Sequence, residues 1–298
     1  MGTQRANFAD LLKPGFHNIF MEKFKQYPPE YPKIVNELKS SQQYEDDSYV
    51  SGFGSVPEKV EGVSVVFDDP MQGYDKRYTH TTFGMGFRVT REMYEDDLYG
   101  KMKKMPKALA NSLSITVEQD VANIYNRAFN GSYTGPDGSV LCVTSHPLLA
   151  GGTEQNALTN SADLNINTFE QALIDIAATT DDRALQLQLM PHKGLVAPLN
   201  AWQFEKILKS SNSVGDGNND VNPAKGMLPG GFEVNHYLTD TDAWFILCRD
   251  HEVNHFWRRK PEFDSDNETT TQDAVYIATA RWSNGWSEWR GIFGSAGI

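Results

Sequence analysis

One stretch of the chain repeats its apolar residues every three or four positions, and this spacing predicts a long helix with one buried face. The stretch runs from Leu98 to Ala128. At 1.5 Å per residue it would form a rod of about 45 Å, which we expect to be the backbone of the fold. Pro106 has no amide hydrogen, so the helix should kink or restart near it. The polar positions, which include Glu118, should face water or another polar surface.

The first 48 residues carry short amphipathic patterns that proline interrupts. Pro14 separates two short helical pieces, a proline run at 27–32 favours extended backbone, and residues 34–38 fit a third short helix. Such pieces cannot easily bury their aromatic side chains against one another. Phe16 and Phe20 therefore need a surface to lie on, which belongs either to the same chain or to a neighbour.

Residues 49–88 are predicted to form a long two-stranded ribbon. Apolar residues alternate with small or polar ones at 62–67, turn residues follow at 68–73, and residues 74–89 return with many Tyr, Thr and Phe. An isolated hairpin is marginally stable in water, so the ribbon should lie across a neighbouring subunit. The alternative is an edge pair of the protein's own sheet. If the first interpretation holds, replacing residues 54–81 with a glycine-serine linker should leave a folded subunit that cannot assemble.

The predicted contact residues lie on this ribbon and on the segment before it. Its strands are polar on both faces, so packing the ribbon on its own core would bury hydroxyls and charges for little apolar gain. A neighbouring chain could instead pair with the charges and cover the apolar side chains. The predicted residues are Phe16, Phe20, Phe53, Val63, Val65, Phe67, Tyr74, Asp75, Lys76 and Arg77.

Strands and helices alternate from 164 to 248, which predicts a separate α/β lobe. Beyond it, the alternation over 274–282 predicts a strand. The following Asn284-Gly285 pair tolerates positive φ at both positions, and this predicts a two-residue hairpin turn. The tryptophans around this turn should belong to the core. Together these elements predict an α+β fold.

Composition places the chain among folded globular proteins, because it has 298 residues with 39% hydrophobic and 22% charged. Asp and Glu outnumber Lys and Arg by 39 to 27, and the formal charge of -12 argues against a strong nucleic-acid-binding surface. No apolar run approaches the roughly 18 residues of a membrane span and no signal peptide is evident, so we expect a cytoplasmic chain without membrane contact. Cys142 and Cys248 lie in apolar runs, which favours buried thiols.

One motif suggests enzyme chemistry. His251-Glu252-Val253-Asn254-His255 matches the H-E-x-x-H pattern of zinc peptidases, in which a helix brings both histidines to one metal ion. Here the motif follows an apolar strand and reaches Pro261 within six residues, which favours an extended segment. Residues 216–227 have the opening spacing of a calcium loop but lack its glycine and its final glutamate. We therefore expect no catalytic residue, no metal and no cofactor, and keep the zinc metallopeptidase as the less favoured alternative.

Three motifs and the order of the elements carry a family resemblance. The motifs are Phe87-Arg88-Val89-Thr90-Arg91-Glu92, Leu141-Cys142-Val143-Thr144-Ser145-His146-Pro147 and Arg258-Arg259-Lys260-Pro261-Glu262-Phe263. The predicted elements follow one another in the order arm, ribbon, long helix, α/β lobe and returning strands. Over nearly its whole length the chain resembles the major capsid proteins of tailed bacteriophages with the HK97-type fold. Within them it is most similar to the Mu-like head subunit group.

This resemblance implies a fold, a function and a set of partners. The implied HK97-like capsid fold has an N-terminal arm (1–48), an extended β-hairpin loop (49–88), a peripheral domain with a long spine helix (89–163 and 249–298) and an α/β axial domain (164–248). The implied function is structural: hexamers and pentamers of the chain would form an icosahedral shell around double-stranded phage DNA.

The resemblance also implies where the protein acts and with what. Assembly would take place in the cytoplasm of a bacterial host, and the protein would remain in the virion. The expected partners are other copies of the chain, a portal, and scaffolding or decoration proteins. DNA would be contacted only weakly and without sequence specificity. An encapsulin-like nanocompartment shell protein has the same fold and is kept as the alternative.

Overall fold

The computed structural model describes residues 8–26, 28–90, 92–93, 96, 100–212, 221–268 and 273–298. The helices are α1 (Phe8–Phe24), α2 (Lys104–Asn126), α3 (Ile166–Ala178) and α4 (Ala201–Lys209). The strands are β1 (Asn36–Lys39), β2 (Tyr44–Val50), β3 (Gln72–Thr79), β4 (Thr81–Val89), β5 (His146–Pro147), β6 (Thr153–Glu154), β7 (Pro191–Val196), β8 (Phe232–Val234), β9 (Trp244–Cys248), β10 (Val253–Glu268), β11 (Asp273–Trp286) and β12 (Ile292–Ser295). This mixture of helices and sheets is the predicted α+β class.

A four-stranded sheet in the order β1-β10-β11-β4 forms the largest layer. β11 pairs antiparallel with both β10 and β4, and β1 pairs parallel with β10. Helices α1 and α2 pack against this sheet and enclose a core with it. The large side chains buried in that core include Phe20, Tyr276 and Trp282.

Helix α2 is the long amphipathic helix that the apolar spacing predicts. It contains 23 residues, which corresponds to about 35 Å at 1.5 Å per residue. Pro106 stands in its first turn, so the helix restarts after a single 3₁₀ turn at Lys101–Lys103, as predicted. The start of the predicted rod at Leu98 lies outside the described residues.

The first helix differs from its prediction, because α1 continues through Pro14 instead of breaking there. An interior proline costs roughly 3 kcal/mol. Burial of the helix face against the sheet offsets that cost: the ring of Phe16 lies 5.1 Å from that of Tyr276, and the ring of Phe20 lies 5.0 Å from that of Phe263. Both α1 residues are buried in their own subunit, so the prediction that they contact a neighbour is wrong.

The end of the arm also differs from its prediction. Residues 36–39 form β1, which covers one edge of β10, where the sequence predicts a short helix at 34–38. Just before it, the carboxylate of Glu118 on α2 accepts the backbone amides of Glu30 and Tyr31 at 2.8 and 3.0 Å. Glu118 is therefore buried and faces another polar surface, the second of the two predicted surroundings, because it supplies acceptors to the amides of this turn.

A second four-stranded sheet has the order β12-β9-β7-β8 and packs with α3 and α4 around a separate core. It contains the strands and helices predicted between 164 and 248. Asn165 caps α3 by accepting the amide of Thr168 at 2.9 Å. β12 joins this sheet beside β9, so the end of the chain returns to the lobe, which the predicted division at residue 248 does not include.

The predicted hairpin turn at Asn284-Gly285 is wrong. β11 runs straight through both residues, which pair with His255 and Asn254 of β10. Gly285 lies under the ring of Tyr78, and a Cβ there would stand 3.2 Å from Cε1 of that ring. The glycine thus permits close packing and makes no turn. The predicted core tryptophans are buried: Trp282, Trp286 and Trp289.

Candidate functional site

A two-stranded ribbon extends from the main sheet, as predicted, but its strands lie elsewhere. β2 and β3 pair antiparallel from Tyr44 opposite Thr79 to Val50 opposite Gln72. The predicted first strand at 63–67 is instead part of residues 51–71, which contain no regular strand. β4, the second half of the predicted returning strand, belongs to the main sheet, as the alternative interpretation proposed.

Residues 51–71 form the ribbon tip, which carries a concentration of exposed apolar side chains. Its neck is closed by two hydrogen bonds: the amide of Ser51 donates to the carbonyl of Met71 at 2.9 Å, and the amide of Gly54 donates to the carboxylate of Asp68 at 2.8 Å. Beyond this neck Phe67 is 92% exposed. The other exposed apolar residues of the tip are Phe53, Val56, Val60, Val63, Val65 and Val66.

The base of the ribbon is buried in its own subunit. Tyr78 lies in the core, and the two ring nitrogens of His80 stand 2.8 and 2.9 Å from the hydroxyls of Ser40 and Ser283. Burial lowers the pKa of His80, so the imidazole is neutral at neutral pH. A linker in place of residues 54–81 would remove these buried groups, so we now expect that chain not to fold, in contrast to the expectation from the sequence alone.

The polar residues of β3 make most of their contacts with other residues of their own subunit. Arg77 pairs with Asp46 on β2 through two contacts of 2.7 and 2.8 Å. Lys76 lies 6.0 Å above a tryptophan ring, and the hydroxyl of Tyr74 donates to a backbone carbonyl at 3.1 Å. Asp75 is exposed. Arg77 thus has an internal partner but stays exposed, and the contact of these charges with a neighbour stays a prediction.

Arg183 fastens the ribbon tip to the α/β lobe. Its Nη1 lies 2.9 and 2.8 Å from the two carboxylate oxygens of Asp68, and its Nη2 donates to the carbonyl of Asp69. The amide of Gly54 and the guanidinium of Arg183 hold the pKa of Asp68 below its usual value. These contacts hold the base of the tip, where residues 54 and 68 meet, against the α/β lobe.

A buried charged cluster lies beneath the ribbon, centred on Arg290. Its Nη2 is 3.3 Å from Asp182, its Nη1 is 3.0 Å from Glu288, and its Nε donates to the carbonyl of Thr180 at 3.1 Å. The hydroxyl of Tyr49 on β2 completes the set at 3.5 Å. Burial raises the pKa of Glu288, and Arg290 opposes that rise. The cluster joins the ribbon, the lobe and the C-terminal segment in one buried network.

The H-E-x-x-H segment lacks the geometry of a zinc site. Val253 begins strand β10, so the backbone that separates His251 from His255 is largely extended. At about 3.3 Å per residue the two side chains stand too far apart to bind one metal ion. Within the described residues no group of three or more His, Cys, Asp and Glu could hold a metal.

His255 is buried among aromatic rings and makes the subunit sensitive to acid. Its ring lies 4.8 Å from that of Trp257 and 5.2 Å from that of Tyr31, and neither ring nitrogen has a hydrogen-bond partner in the described chain. Burial, with a smaller effect of Lys260, lowers the pKa of His255 to about 4. A depressed pKa contributes stability that is present above the unfolded value and lost as pH falls through the folded value.

We expect the free energy of unfolding to fall by about 3 kcal/mol from this group as pH drops from about 6.5 to about 4. His255→Phe should remove that part of the pH dependence. Urea unfolding of both proteins across this range gives the difference. An unchanged pH dependence in His255→Phe would contradict the assignment, because the two chains share every other titratable group and differ only in this imidazole.

Both thiols are buried and free, as the sequence predicts for Cys142 and Cys248. Burial raises the pKa of Cys248 to about 12 and that of Cys142 still further. Such thiols are protonated and unreactive at neutral pH. The surfaces of this molecule, above all the ribbon tip, therefore offer more to function than its buried titratable groups.

Comparison with known families decides the class of protein. The sequence model of a family described as phage capsid protein matches residues 73–294, which is most of the chain. The chain belongs to the phage capsid protein family. The match includes β4, α2, most strands of both four-stranded sheets, and Asp182, Glu288 and Arg290 of the buried cluster. It favours a structural phage capsid protein over the nanocompartment shell and the zinc peptidase.

Solved structures show the same fold at low sequence identity. The capsid of a native GTA particle aligns with a TM-score of 0.57 at 12% identity over 89% of this chain and 88% of that one. The structure of Microbacterium phage Oxtober96 gives a TM-score of 0.55 at 8% identity over 91% of this chain and 92% of that one. The capsid of the cyanophage P-SCSP1u gives 0.54 at 13% identity over 87% and 85%. The search of curated proteins found no match.

This capsid protein therefore has the predicted HK97-type fold, whereas its placement in the Mu-like group stays a prediction. Its family makes it a structural virion component that assembles with its own copies. None of the helices in the described ranges has the length and apolar character needed to cross a bilayer.

Sequence reasoning missed the buried cluster of this capsid protein. Arg290 bonds to Thr180 and Asp182, which stand more than a hundred positions away, so no local pattern reveals the contact. One signal was present: Glu288 and Arg290 flank a core tryptophan in an otherwise apolar segment. Charges in such a setting are rarely buried unless they are paired.

Proposed function

We propose that this chain is the major head subunit of a tailed phage, and that its hexamers and pentamers close into an icosahedral shell around double-stranded DNA. We further propose that assembly takes place in the cytoplasm of the bacterial host. The subunit itself has no catalytic role in this proposal, and the buried charges around Arg290 serve structural contacts.

The observation that carries the proposal is the exposure of the ribbon tip. Seven large apolar residues between 53 and 67 face solvent although a closed neck and Arg183 hold the tip in place. Fully burying one such side chain contributes about 1.5–3 kcal/mol. In a single subunit these side chains stay in water, so their burial contributes nothing to stability. In a shell of many copies they would be buried wherever a tip lies on a neighbouring subunit.

The division into working parts follows from the same proposal. An N-arm at 1–48, an extended loop at 49–88, a peripheral domain at 89–163 and 249–298, and an axial domain at 164–248 would each take separate contacts in the shell. The two sheets support a division into two lobes, whereas β1 and β4 lie in the main sheet and β12 returns to the second one, across the proposed bounds. The tip residues proposed as contacts are Phe53, Val63, Val65 and Phe67.

Charge supports a weak interaction with the enclosed DNA. The chain has a formal charge of -12, and a shell with a strongly basic inner wall would bind phosphates through many counterion-releasing contacts. We propose that a portal, and scaffolding or decoration proteins, complete the particle.

The test is the size of the purified protein in solution. Size-exclusion chromatography with light scattering, over a range of salt concentrations, should show rings or closed particles of many subunits. A stable monomer at high concentration under every salt condition would overturn the proposal.

A further inference from the structure

The main sheet has an open edge at β4. The sheet order ends with this strand, and no strand in the described chain pairs with its second edge. Every other residue of such an edge presents an unpaired amide and carbonyl, which is a template for another chain. The sequence of β4 contains neither proline nor lysine, the residues that commonly protect an edge.

A shallow groove runs along this edge on the outer face of the sheet. Gly84 and Gly86 lie opposite Thr279 and Ile277 in the register, facing away from the core. Ile277 is 41% exposed, and Met85, which lies on the opposite face of β4 from the two glycines, is 60% exposed. Glycines on an edge strand leave room that an aromatic side chain on an adjoining strand can cover.

The ribbon tip contains a segment that matches this groove. Residues 63–67 have the sequence Val63-Ser64-Val65-Val66-Phe67 and high strand propensity, yet they belong to no strand of their own subunit. Phe67 is the aromatic residue of the segment and is almost fully exposed. A strand former without a partner and an edge strand without a partner thus occur in the same chain.

The two cannot meet within one subunit. β3 and β4 are separated by His80 alone and follow β11 in one direction, because Thr81 lies opposite Trp282 and Tyr78 packs on Gly285. Thirteen residues of strand therefore separate Gly73 from Gly86, about 40 Å at 3.3 Å per residue. Asp68 is held at Arg183, whose neighbour Asp182 accepts the amide of Leu149 beside Gly73, and residues 63–67 reach at most about 17 Å from Asp68.

We infer that residues 63–67 of one copy add as a fifth strand to the open edge of β4 in a second copy, with Phe67 covering the glycine groove. Backbone hydrogen bonds along β4 would supply the pairing, and the contacts of Phe67 with Ile277 would fix which face it takes. This inference rests on the proposed shell function, because it needs many copies side by side.

Gly86 also has a role in its own subunit, and the test must leave it intact. A Cβ at Gly86 would stand 2.6 Å from the carbonyl oxygen of Tyr276, so any side chain there would push β4 from β11. Substituting this glycine would damage the fold whether or not a second copy binds. The experiments below therefore alter Phe67 and Ile277, whose side chains are exposed.

Photo-crosslinking shows directly which residues the ribbon tip contacts in the shell. With p-benzoylphenylalanine in place of Phe67, irradiated shells should give adducts between different chains, mapped by mass spectrometry to residues 82–88 or 275–279. If shells form but the interchain adducts lie elsewhere, the adducts join residues of one chain, or no adducts appear, then the inferred docking of residues 63–67 on β4 is wrong and the proposed shell function is unaffected. If the unmodified protein forms no shells, the proposed function fails, and the inference with it.

A substitution pair tests the groove from the other side. Ile277→Lys should keep the melting temperature of the wild type, because the residue is exposed, but should lower shell yield at least tenfold. Ile277→Val keeps the apolar surface and the strand propensity, so it should assemble normally. Normal shells from Ile277→Lys, or equal losses in both variants, would overturn the inference.

Discussion

Replacing five apolar side chains of the ribbon tip with serine should abolish shell formation and leave the melting temperature of the subunit unchanged. The residues are Val60, Val63, Val65, Val66 and Phe67, all exposed in the subunit. Their removal costs the isolated fold almost nothing, because they are already in water. In a shell each would contribute about 1.5–3 kcal/mol when buried, so the combined loss should exceed what assembly tolerates.

The matched control changes the charged residues of the same tip, Glu58, Lys59 and Glu61, to serine. This variant alters the same loop without removing apolar surface, and it should still form shells. Differential scanning fluorimetry gives the melting temperature, and sedimentation gives the assembled fraction. A serine variant that assembles normally, or one that melts far below the wild type, would assign the tip a different role.

Arg290→Met should lower the free energy of unfolding by about 3–5 kcal/mol, because removing one partner leaves Asp182 and Glu288 buried without their cation. Urea unfolding in the tip-serine background measures this on separate subunits. The matched control is Arg183→Met, whose partner Asp68 is far more exposed. Solvent screens that ion pair, so its loss should lower the free energy of unfolding far less than the loss of Arg290 does.

The Arg290→Met deficit should also depend on pH with a definite sign. Burial already raises the pKa of Glu288, and loss of Arg290 raises it further. A raised pKa contributes stability that is lost as pH increases through the folded value. The deficit should therefore be larger at about pH 8 than at about pH 5. An equal loss at both values, or equal losses in Arg183→Met and Arg290→Met, would contradict the assignment of a buried charged network.

The features that the sequence predicts well are those with a long, regular pattern. Helix α2 repeats its apolar residues over many turns, and no local alternative competes with that repeat. The strand alternation of β11 is equally regular, so the core side of Tyr276 and Trp282 could be predicted. In both cases the periodicity alone identifies the buried face.

The features that the sequence predicts badly depend on partners far away in the chain. Asn284-Gly285 has the chemistry of a turn, but the ladder between β10 and β11 and the ring of Tyr78 keep it extended. Residues 63–67 have strand propensity but no partner in the subunit, so they form no strand. Phe16 and Phe20 were predicted to contact a neighbour because their own core partners on β10 and β11 cannot be read from local sequence.

Many copies of this chain should close into a shell in which each ribbon tip lies on a neighbouring subunit. Cryo-electron microscopy of particles from the purified protein tests it most directly. We expect closed shells with fivefold vertices, and density for residues 63–67 beside β4 of an adjacent subunit. Uniform monomers or dimers would contradict it, as would shells in which every tip lies on its own subunit.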